Sequence, residues 1–185
     1  MGKRILVLTG SPRKGGNCDL LAEEFIKEAE QAGHRIDRFC AAGSGVSPCM
    51  ACDRCWTRNG LPCVQEDGMQ PLYPLLNQAD AVVFATPLYF YGMSAQIRTV
   101  IDRFYPLCKD DKKPAFEGKQ SAMILCGAEE DDDAFEGAVG SYERMIDYLN
   151  WEDCGILVAT GLWEKGAAAN APEWLESARD LARNF

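Results

Sequence analysis

Histidine is almost missing: His34 alone stands among 185 residues. Chemistry that depends on a histidine base has this one candidate. It falls at the start of a predicted strand, on the edge away from the loops where ligands gather, and reads as a structural residue. Long apolar runs are missing too, and none approaches the roughly 18 residues that a membrane-spanning helix needs. The start, Met1-Gly2-Lys3-Arg4 and then a short strand, lacks the length and cleavage site of a secretory leader, so a cytoplasmic location is expected. Basic clusters are wanting as well. With 19 Lys and Arg against 28 Asp and Glu the net charge is −9, which speaks against a nucleic-acid face. The acidic run Glu129-Glu130-Asp131-Asp132-Asp133 reads as a solvated loop. Neither G-x-x-x-x-G-K-[ST] nor G-x-G-x-x-G occurs, which excludes a Walker A loop and weakens a dinucleotide-binding reading. No internal repeat, low-complexity tract or linker divides the chain. One domain over 1–185 is expected, and 47% apolar residues suffice for its core.

What is present is an alternation. Apolar strands are predicted at about Lys3–Thr9, His34–Cys40, Ala81–Ala85, Ser121–Cys126 and Cys154–Thr160. Helical spacing recurs at Leu21, Phe25, Ala29 and Ala32, at Ile97, Val100, Ile101 and Phe104, at Tyr142, Met145, Ile146 and Leu149, and at Trp174, Leu175, Ala178 and Leu181. A weak helix is predicted near Gln70–Asn77. Continuous apolar strands between amphipathic helices imply a parallel sheet covered on both faces. Five such units predict an α/β, flavodoxin-like three-layer sandwich with strand order 2-1-3-4-5. Residues 41–68 break the rhythm and are expected to be a functional loop insertion.

Ligands of such a sheet bind at the C-terminal ends of its strands. Behind the first strand lies Gly10-Ser11-Pro12-Arg13-Lys14-Gly15-Gly16-Asn17-Cys18, a strand–loop–helix junction. A helix N-terminus presents unpaired N–H groups and a partial positive charge, and both favour a phosphate. Ser11 and Asn17 are expected to donate hydrogen bonds, Arg13 and Lys14 to supply charge, and Gly16 to let the backbone come close. Behind the third strand comes Pro87-Leu88-Tyr89-Phe90-Tyr91-Gly92, and behind the fourth Gly127. Adjacent aromatics at the edge where a phosphate is held suit a flat ring system, with Gly92 permitting close backbone approach. Packing or subunit contact is the competing reading for Tyr89, Phe90 and Tyr91.

Together, GSPRKGGNCDLL at 10–21, PCMACDRCWTRNGLPC at 48–63 and ADAVVFATPLYFYGMSAQIRTVIDR at 79–103 resemble the NADPH-dependent FMN reductase superfamily and, more narrowly, its iron-sulfur flavoprotein branch. The likeness covers the first 105 residues, and the remainder fits in pattern. The resemblance implies FMN as cofactor, with phosphate contacts from Ser11, Arg13, Asn17 and Cys18. Many relatives carry Thr or Ser where Cys18 stands, so here a backbone N–H would serve in place of a hydroxyl. It implies that Pro87 to Gly92 lines the flavin ring. It further implies NAD(P)H as co-substrate and a homodimer or homotetramer with FMN near an interface.

Nine cysteines are many for a cytoplasmic protein. Cys18, Cys40, Cys108, Cys126 and Cys154 are scattered and read as small buried hydrophobes. Cys49, Cys52, Cys55 and Cys63 are clustered, and clustering in a reducing compartment points to metal or redox chemistry rather than structural disulfides. Four thiolates in one loop can ligate a [4Fe–4S] cube, and the compact spacing leans to that over zinc, which more often uses two separated Cys-x2-Cys pairs. Free, disulfide-bonded or interface-packed thiols are the alternatives. Trp56 would then shield a cluster or anchor an interface. Cys52-x5-Arg58 also matches a phosphatase nucleophile pattern. With Asp53 and Trp56 inside it, no glycine, and no Ser or Thr after Arg58, that match reads as chance.

Hydride passes between a nicotinamide and a flavin when their rings stack, and the cofactor supplies the chemistry. No catalytic acid or base is therefore demanded, and none is assigned. The expected function is that of an FMN-dependent oxidoreductase, an NAD(P)H-dependent flavin or quinone reductase. An electron carrier linking a protein donor, a Cys49–Cys63 cluster and FMN is the alternative, and a non-enzymatic FMN-binding module is a third. The partners expected are small-molecule or protein electron donors and acceptors, not nucleic acid or membrane.

Overall fold

Ile5, Leu6, Val7 and Leu8 are all sealed from solvent. Their period of two sends Ile5 and Val7 into one core and Leu6 and Leu8 into another. The computed structural model describes residues 2–57, 62–109 and 115–185. Among these residues one sheet carries six strands: β1 (Arg4–Thr9), β2 (Arg35–Cys40), β3 (Ala81–Tyr89), β4 (Gly92–Met93), β5 (Gln120–Cys126) and β6 (Glu152–Ala159). Five run parallel in the order β2-β1-β3-β5-β6, and the two-residue β4 pairs antiparallel with β3. Leaving β4 aside, this is the expected flavodoxin-like order.

The helices are α1 (Asn17–Gln31), α2 (Arg54–Thr57), α3 (Leu72–Gln78), α4 (Ala95–Asp102), α5 (Glu136–Tyr148) and α6 (Pro172–Ala182). α1 and α6 cover one face, where Leu21, Phe25 and Leu181 pack with Ile5, Val7, Val83 and Ile124. α3, α4 and α5 cover the other, over Leu8, Val82, Phe84 and Met123. Both faces are therefore closed by apolar stripes at helical spacing, as a buried parallel sheet requires. At the rim of the second core the buried Tyr142 hydroxyl donates to Asp153 Oδ1 at 3.1 Å. Tyr142→Phe is expected to lower stability by about 1 kcal/mol in urea melts; an unchanged midpoint would show that the hydroxyl is equally well served by water.

β3 runs longer than the sequence suggests. The predicted strand ends at Ala85, whereas the observed one continues to Tyr89. The extension is possible because Leu88 and Tyr89 find partners in Met93 and Gly92. Phe90 (φ 47°) and Tyr91 (φ 60°) form the two-residue turn between them. Two positive φ values suit a tight hairpin but are rarely adopted by aromatic residues.

Candidate functional site

Gly16, an extended residue, stands just ahead of α1, and no described side chain caps the helix's first turn. Its opening amides are therefore available to an anion. The loop ahead of it is folded back on itself: the Arg13 N–H donates to Ser11 Oγ at 3.1 Å and the Gly16 N–H to the Arg13 carbonyl at 2.9 Å. Gly10 ties this loop to the β3–β4 hairpin. Its N–H donates to the Ala85 carbonyl at 2.8 Å, and its carbonyl accepts from Ser94 Oγ at 3.0 Å. The Ser94 N–H in turn donates to Thr86 Oγ1 at 3.0 Å. Only glycine allows that approach, since a Cβ on Gly10 would sit 2.5 Å from Ser94 Oγ. The β1–α1 loop and the aromatic hairpin thus stand side by side at one edge of the sheet.

Between them opens a cleft of ≈ 450 Å³. Of the residues expected from sequence to hold a cofactor, Ser11, Arg13, Gly16, Asn17, Cys18, Pro87, Leu88, Tyr89 and Gly127 line it. Lys14, Phe90, Tyr91 and Gly92 do not. Phe90 and Tyr91 occupy the tip of the hairpin, 102% and 62% exposed, because β3 carries the chain past the cleft before it turns. Gly92 serves strand pairing instead of close approach: a Cβ there would meet nothing nearer than the Tyr89 carbonyl at 3.9 Å. Lys14 is exposed beyond the loop's fold.

Two expected ligands have other work. The Asn17 side chain is fully committed: Nδ2 donates to the Leu162 and Glu164 carbonyls, each at 3.0 Å, and Oδ1 accepts from the Ala168 N–H at 3.1 Å. It clamps the segment after β6 to the start of α1, and only its backbone N–H is left for an anion. Cys18 is bonded through a disulfide to Cys126 at the end of β5, so neither is the isolated apolar thiol that scattered placement suggests. The segment that Asn17 holds forms the remaining wall, with Leu162, Trp163, Glu164 and Lys165 lining the cleft. Those residues follow the last strand of the sheet. The rule that ligands gather at strand C-termini would have pointed to them.

The four clustered cysteines lie elsewhere. Cys49, Cys52, Cys55 and Cys63 line a second, smaller cavity with Arg103 and Tyr105, which shares no lining residue with the first. Left-handed backbone at Ala51 (φ 48°) and Asp53 (φ 53°) turns the chain sharply between the first three thiols. Cys55 and Cys63 are buried, whereas Cys49 and Cys52 are exposed. Burial pushes the Cys55 thiol up, and the neighbouring Cys63, Cys49 and Cys52 add to the effect. No three His, Cys, Asp or Glu side chains among the described residues form a group that could hold a metal ion. Arg103, 1% exposed, closes the base of the segment: its Nη1 donates to the Ser47 carbonyl and to Asp67 Oδ2, both at 2.7 Å, and its Nη2 to Asp67 Oδ1 at 3.1 Å. Its buried Nε has no partner among the described residues. The Trp56 ring rests 5.2 Å from that of Tyr105. Arg58 of the phosphatase-like pattern lies outside the described residues. His34 accepts from the Lys3 N–H at 3.1 Å, at the start of the strands and far from either cavity's chemistry.

A doubly wound parallel sheet in the order β2-β1-β3-β5-β6, with a cleft at the C-terminal edge of its strands, defines the flavodoxin-like class of fold. Residues 3–133 match the family model of the NADPH-dependent FMN reductases, and the chain belongs to that family. An iron-sulfur flavoprotein of Archaeoglobus fulgidus is 31% identical over 161 residues, which is 87% of this chain and 65% of the relative. YwqN of Bacillus subtilis, named as a candidate NAD(P)H-dependent FMN-containing oxidoreductase, is 26% identical over 164 residues, 85% of each chain. The solved structure of the NAD(P)H:quinone oxidoreductase from Methanothermobacter marburgensis shares the fold at a TM-score of 0.73, with 14% identity, over 100% of this chain and 97% of that one. The chain spans less than two thirds of the iron-sulfur flavoproteins it matches, with 65%, 63% and 62% of three of them covered. Among the described residues no helix is long and apolar enough to cross a membrane.

Proposed function

We propose that this chain is an FMN-dependent oxidoreductase that uses NAD(P)H to reduce a flavin or quinone acceptor, with residues 1–185 forming one FMN-binding domain. The observation that carries the reading is the shared cleft: the uncapped start of α1 and the strand end Pro87–Tyr89 line it together, cross-tied through Ser94. Its volume falls in the range of small-molecule sites, roughly 300–1,000 Å³. The residues fit FMN. Ser11, Arg13 and the Gly16–Cys18 backbone would hold the phosphate, and Pro87, Leu88, Tyr89 and Gly127 would face the ring system. Trp163, 74% exposed, closes the far wall. The chemistry FMN supplies when bound is two-electron exchange with a nicotinamide. The protein's share is to orient the ring plane and to balance the phosphate charge.

The test is direct. Supplied with FMN under anaerobic conditions, the chain is expected to bind it and show bands near about 370 and 450 nm, the longer of which bleaches on addition of NAD(P)H. A protein that ignores FMN would refute the reading, and bound flavin that no donor reduces would leave a binding module. Arg13 is exposed and forms no ion pair among the described residues. Arg13→Ala is therefore expected to weaken FMN binding about tenfold, the worth of roughly one charge-assisted hydrogen bond, with no change in melting temperature. Equal FMN affinity in the variant would remove Arg13 from the phosphate site.

A second reading has its own support. Four cysteines line one cavity beside a buried guanidinium whose Nε has no partner among the described residues; the thiols do not stand as a ligand set here, so an anionic [4Fe–4S] cluster would have to draw them together. The same chain would then carry electrons between a protein donor, the cluster and FMN. Iron and acid-labile sulfide in anaerobically purified protein, lost in Cys55→Ala, are the expected result. The exposed Phe90, Tyr91 and Trp163 support a homodimer or homotetramer, and the clustered thiols support a cytoplasmic setting.

A further inference from the structure

We propose that Cys18 and Cys126 form a reversible thiol–disulfide site inside the ligand cleft, taking small dithiols as co-substrate, whose oxidised form holds the start of α1 in its anion-binding shape. The two residues are 108 positions apart, with Cα atoms 6.1 Å from each other, inside the ordinary span of a disulfide. Both line the cleft, and both are otherwise buried, at 2% and 4% exposure. The route to the bond is therefore the cleft itself, and an occupant shields it. Cys18 is the second residue of α1, in the uncapped first turn. Cys126 pairs with Pro87 across the sheet and precedes Gly127, where an added Cβ would lie 3.0 Å from the Phe135 ring and 3.1 Å from Leu88 Cβ. The bond thus joins the anion-binding wall to the tightly packed ring-side wall. In a reducing compartment a disulfide of this kind is more often catalytic or redox-sensing than structural.

The exchange balances simply. One thiolate of the dithiol attacks a sulfur of the pair, the Cys18–Cys126 bond breaks, and a mixed disulfide forms. The second thiolate of the reagent displaces the remaining protein sulfur. Two electrons pass to the pair, the two thiol protons end on Cys18 and Cys126, and the reagent leaves as its cyclic disulfide. Once reduced, the first turn of α1 is no longer tethered to β5. A Cys18 thiolate would also draw on the same N-terminal amides that an anionic ligand needs. The oxidised form is therefore the one that binds a phosphate-bearing ligand tightly.

Linkage makes the claim quantitative. If reduction weakens FMN binding tenfold, FMN must make the pair tenfold harder to reduce, a shift of about 30 mV for two electrons. This gating half rests on FMN occupying the cleft, whereas the exchange half does not. The experiment alkylates the intact protein before and after dithiothreitol, maps Cys18 and Cys126 by peptide mass, and repeats the titration in redox buffers with FMN, with riboflavin and with neither. The expected result is that both cysteines resist alkylation until reduced, that FMN retards reduction more than riboflavin does, and that the FMN dissociation constant rises about tenfold on reduction. The Cys18→Ala, Cys126→Ala double variant, which lacks the tether and adds no hydroxyl at the first turn of α1, should bind FMN more weakly than the oxidised native chain and ignore dithiothreitol. Alkylation of both cysteines without reductant would overturn the proposal. So would an FMN affinity that reduction leaves unchanged in the native chain, or changes equally in the double variant. Failure of any FMN binding, with the disulfide mapped and reducible, would count against the flavin reading and the gating half and leave the exchange site standing.

Discussion

Replacing Arg103 with methionine is expected to lower unfolding stability by about 3–5 kcal/mol, because it strands a carboxylate that is 12% exposed. Asp67 is built to be charged. It accepts two bonds from Arg103, one from the Ser47 N–H at 2.9 Å and one from the Met69 N–H at 3.0 Å. Burial acts to raise its pKa, but the Arg103 hydrogen bond and the two backbone N–H groups outweigh it and hold the carboxyl below its ordinary value. Since the folded pKa lies below the unfolded one, this group's contribution is complete above about pH 4 and is lost as the pH falls through the folded value. Asp67→Asn should flatten that acid limb. The double variant Arg103→Met, Asp67→Leu should recover much of the loss, since an absent ion pair is cheaper than half of one. Urea melts of the native chain, Arg103→Met, Asp67→Leu and the double variant decide it: additive losses would refute the clasp.

The same change reaches the cysteines. Ser47 and Asp67 flank Cys49 to Cys63, so the Arg103 bonds fix both ends of that segment. In the native chain Cys49 and Cys52 should react with iodoacetamide quickly and Cys55 and Cys63 slowly, in line with their exposure. In Arg103→Met all four should react at similar rates. This separates the clasp from a purely global role, because the comparison is made where both proteins remain folded.

Much of this architecture is written locally. Ile5–Leu8 and Ala81–Ala85 are continuous apolar runs, and a run that is apolar on both faces has to be a central strand. Glycine, cations and a hydroxyl between a strand and a helix mark the β1–α1 loop, now seen as one wall of the cleft, for the same reason: each residue acts within a few positions of its neighbours. What escapes the sequence depends on distant partners. The reach of β3 to Tyr89 is decided by a two-residue strand whose only signal is its pairing. The exposure of Phe90 and Tyr91 follows from that turn, not from their chemistry. Nothing near Arg103 in the sequence signals its partners Ser47 and Asp67, which lie 56 and 36 positions away. Cys18 and Cys126 look like unrelated apolar thiols until β5 is laid beside β3 and α1 crosses over them.

Asn17 is the sharpest instance, and its replacement should be felt in stability and affinity together. Its amide joins α1 to residues 145 to 151 positions away, through two donated bonds and one accepted. Removing three partly solvated hydrogen bonds lowers stability by about 2 kcal/mol. The segment they hold carries Trp163 and Lys165, which line the cleft. If ligand binding must re-order that wall, the same 2 kcal/mol is subtracted from affinity, about thirtyfold in the FMN dissociation constant. Asn17→Ser separates the clamp from a phosphate donor. A serine at the first position of α1 keeps a hydroxyl for an anion but is too short to span to Leu162, Glu164 and Ala168. A donor role predicts that serine preserves FMN binding and melting temperature. The clamp predicts that serine fails as badly as alanine on both counts, whereas Arg13→Ala weakens binding and leaves the melt alone. Calorimetric melts and flavin fluorescence titrations on the three variants distinguish these outcomes, and a serine variant indistinguishable from the native chain would return Asn17 to the phosphate.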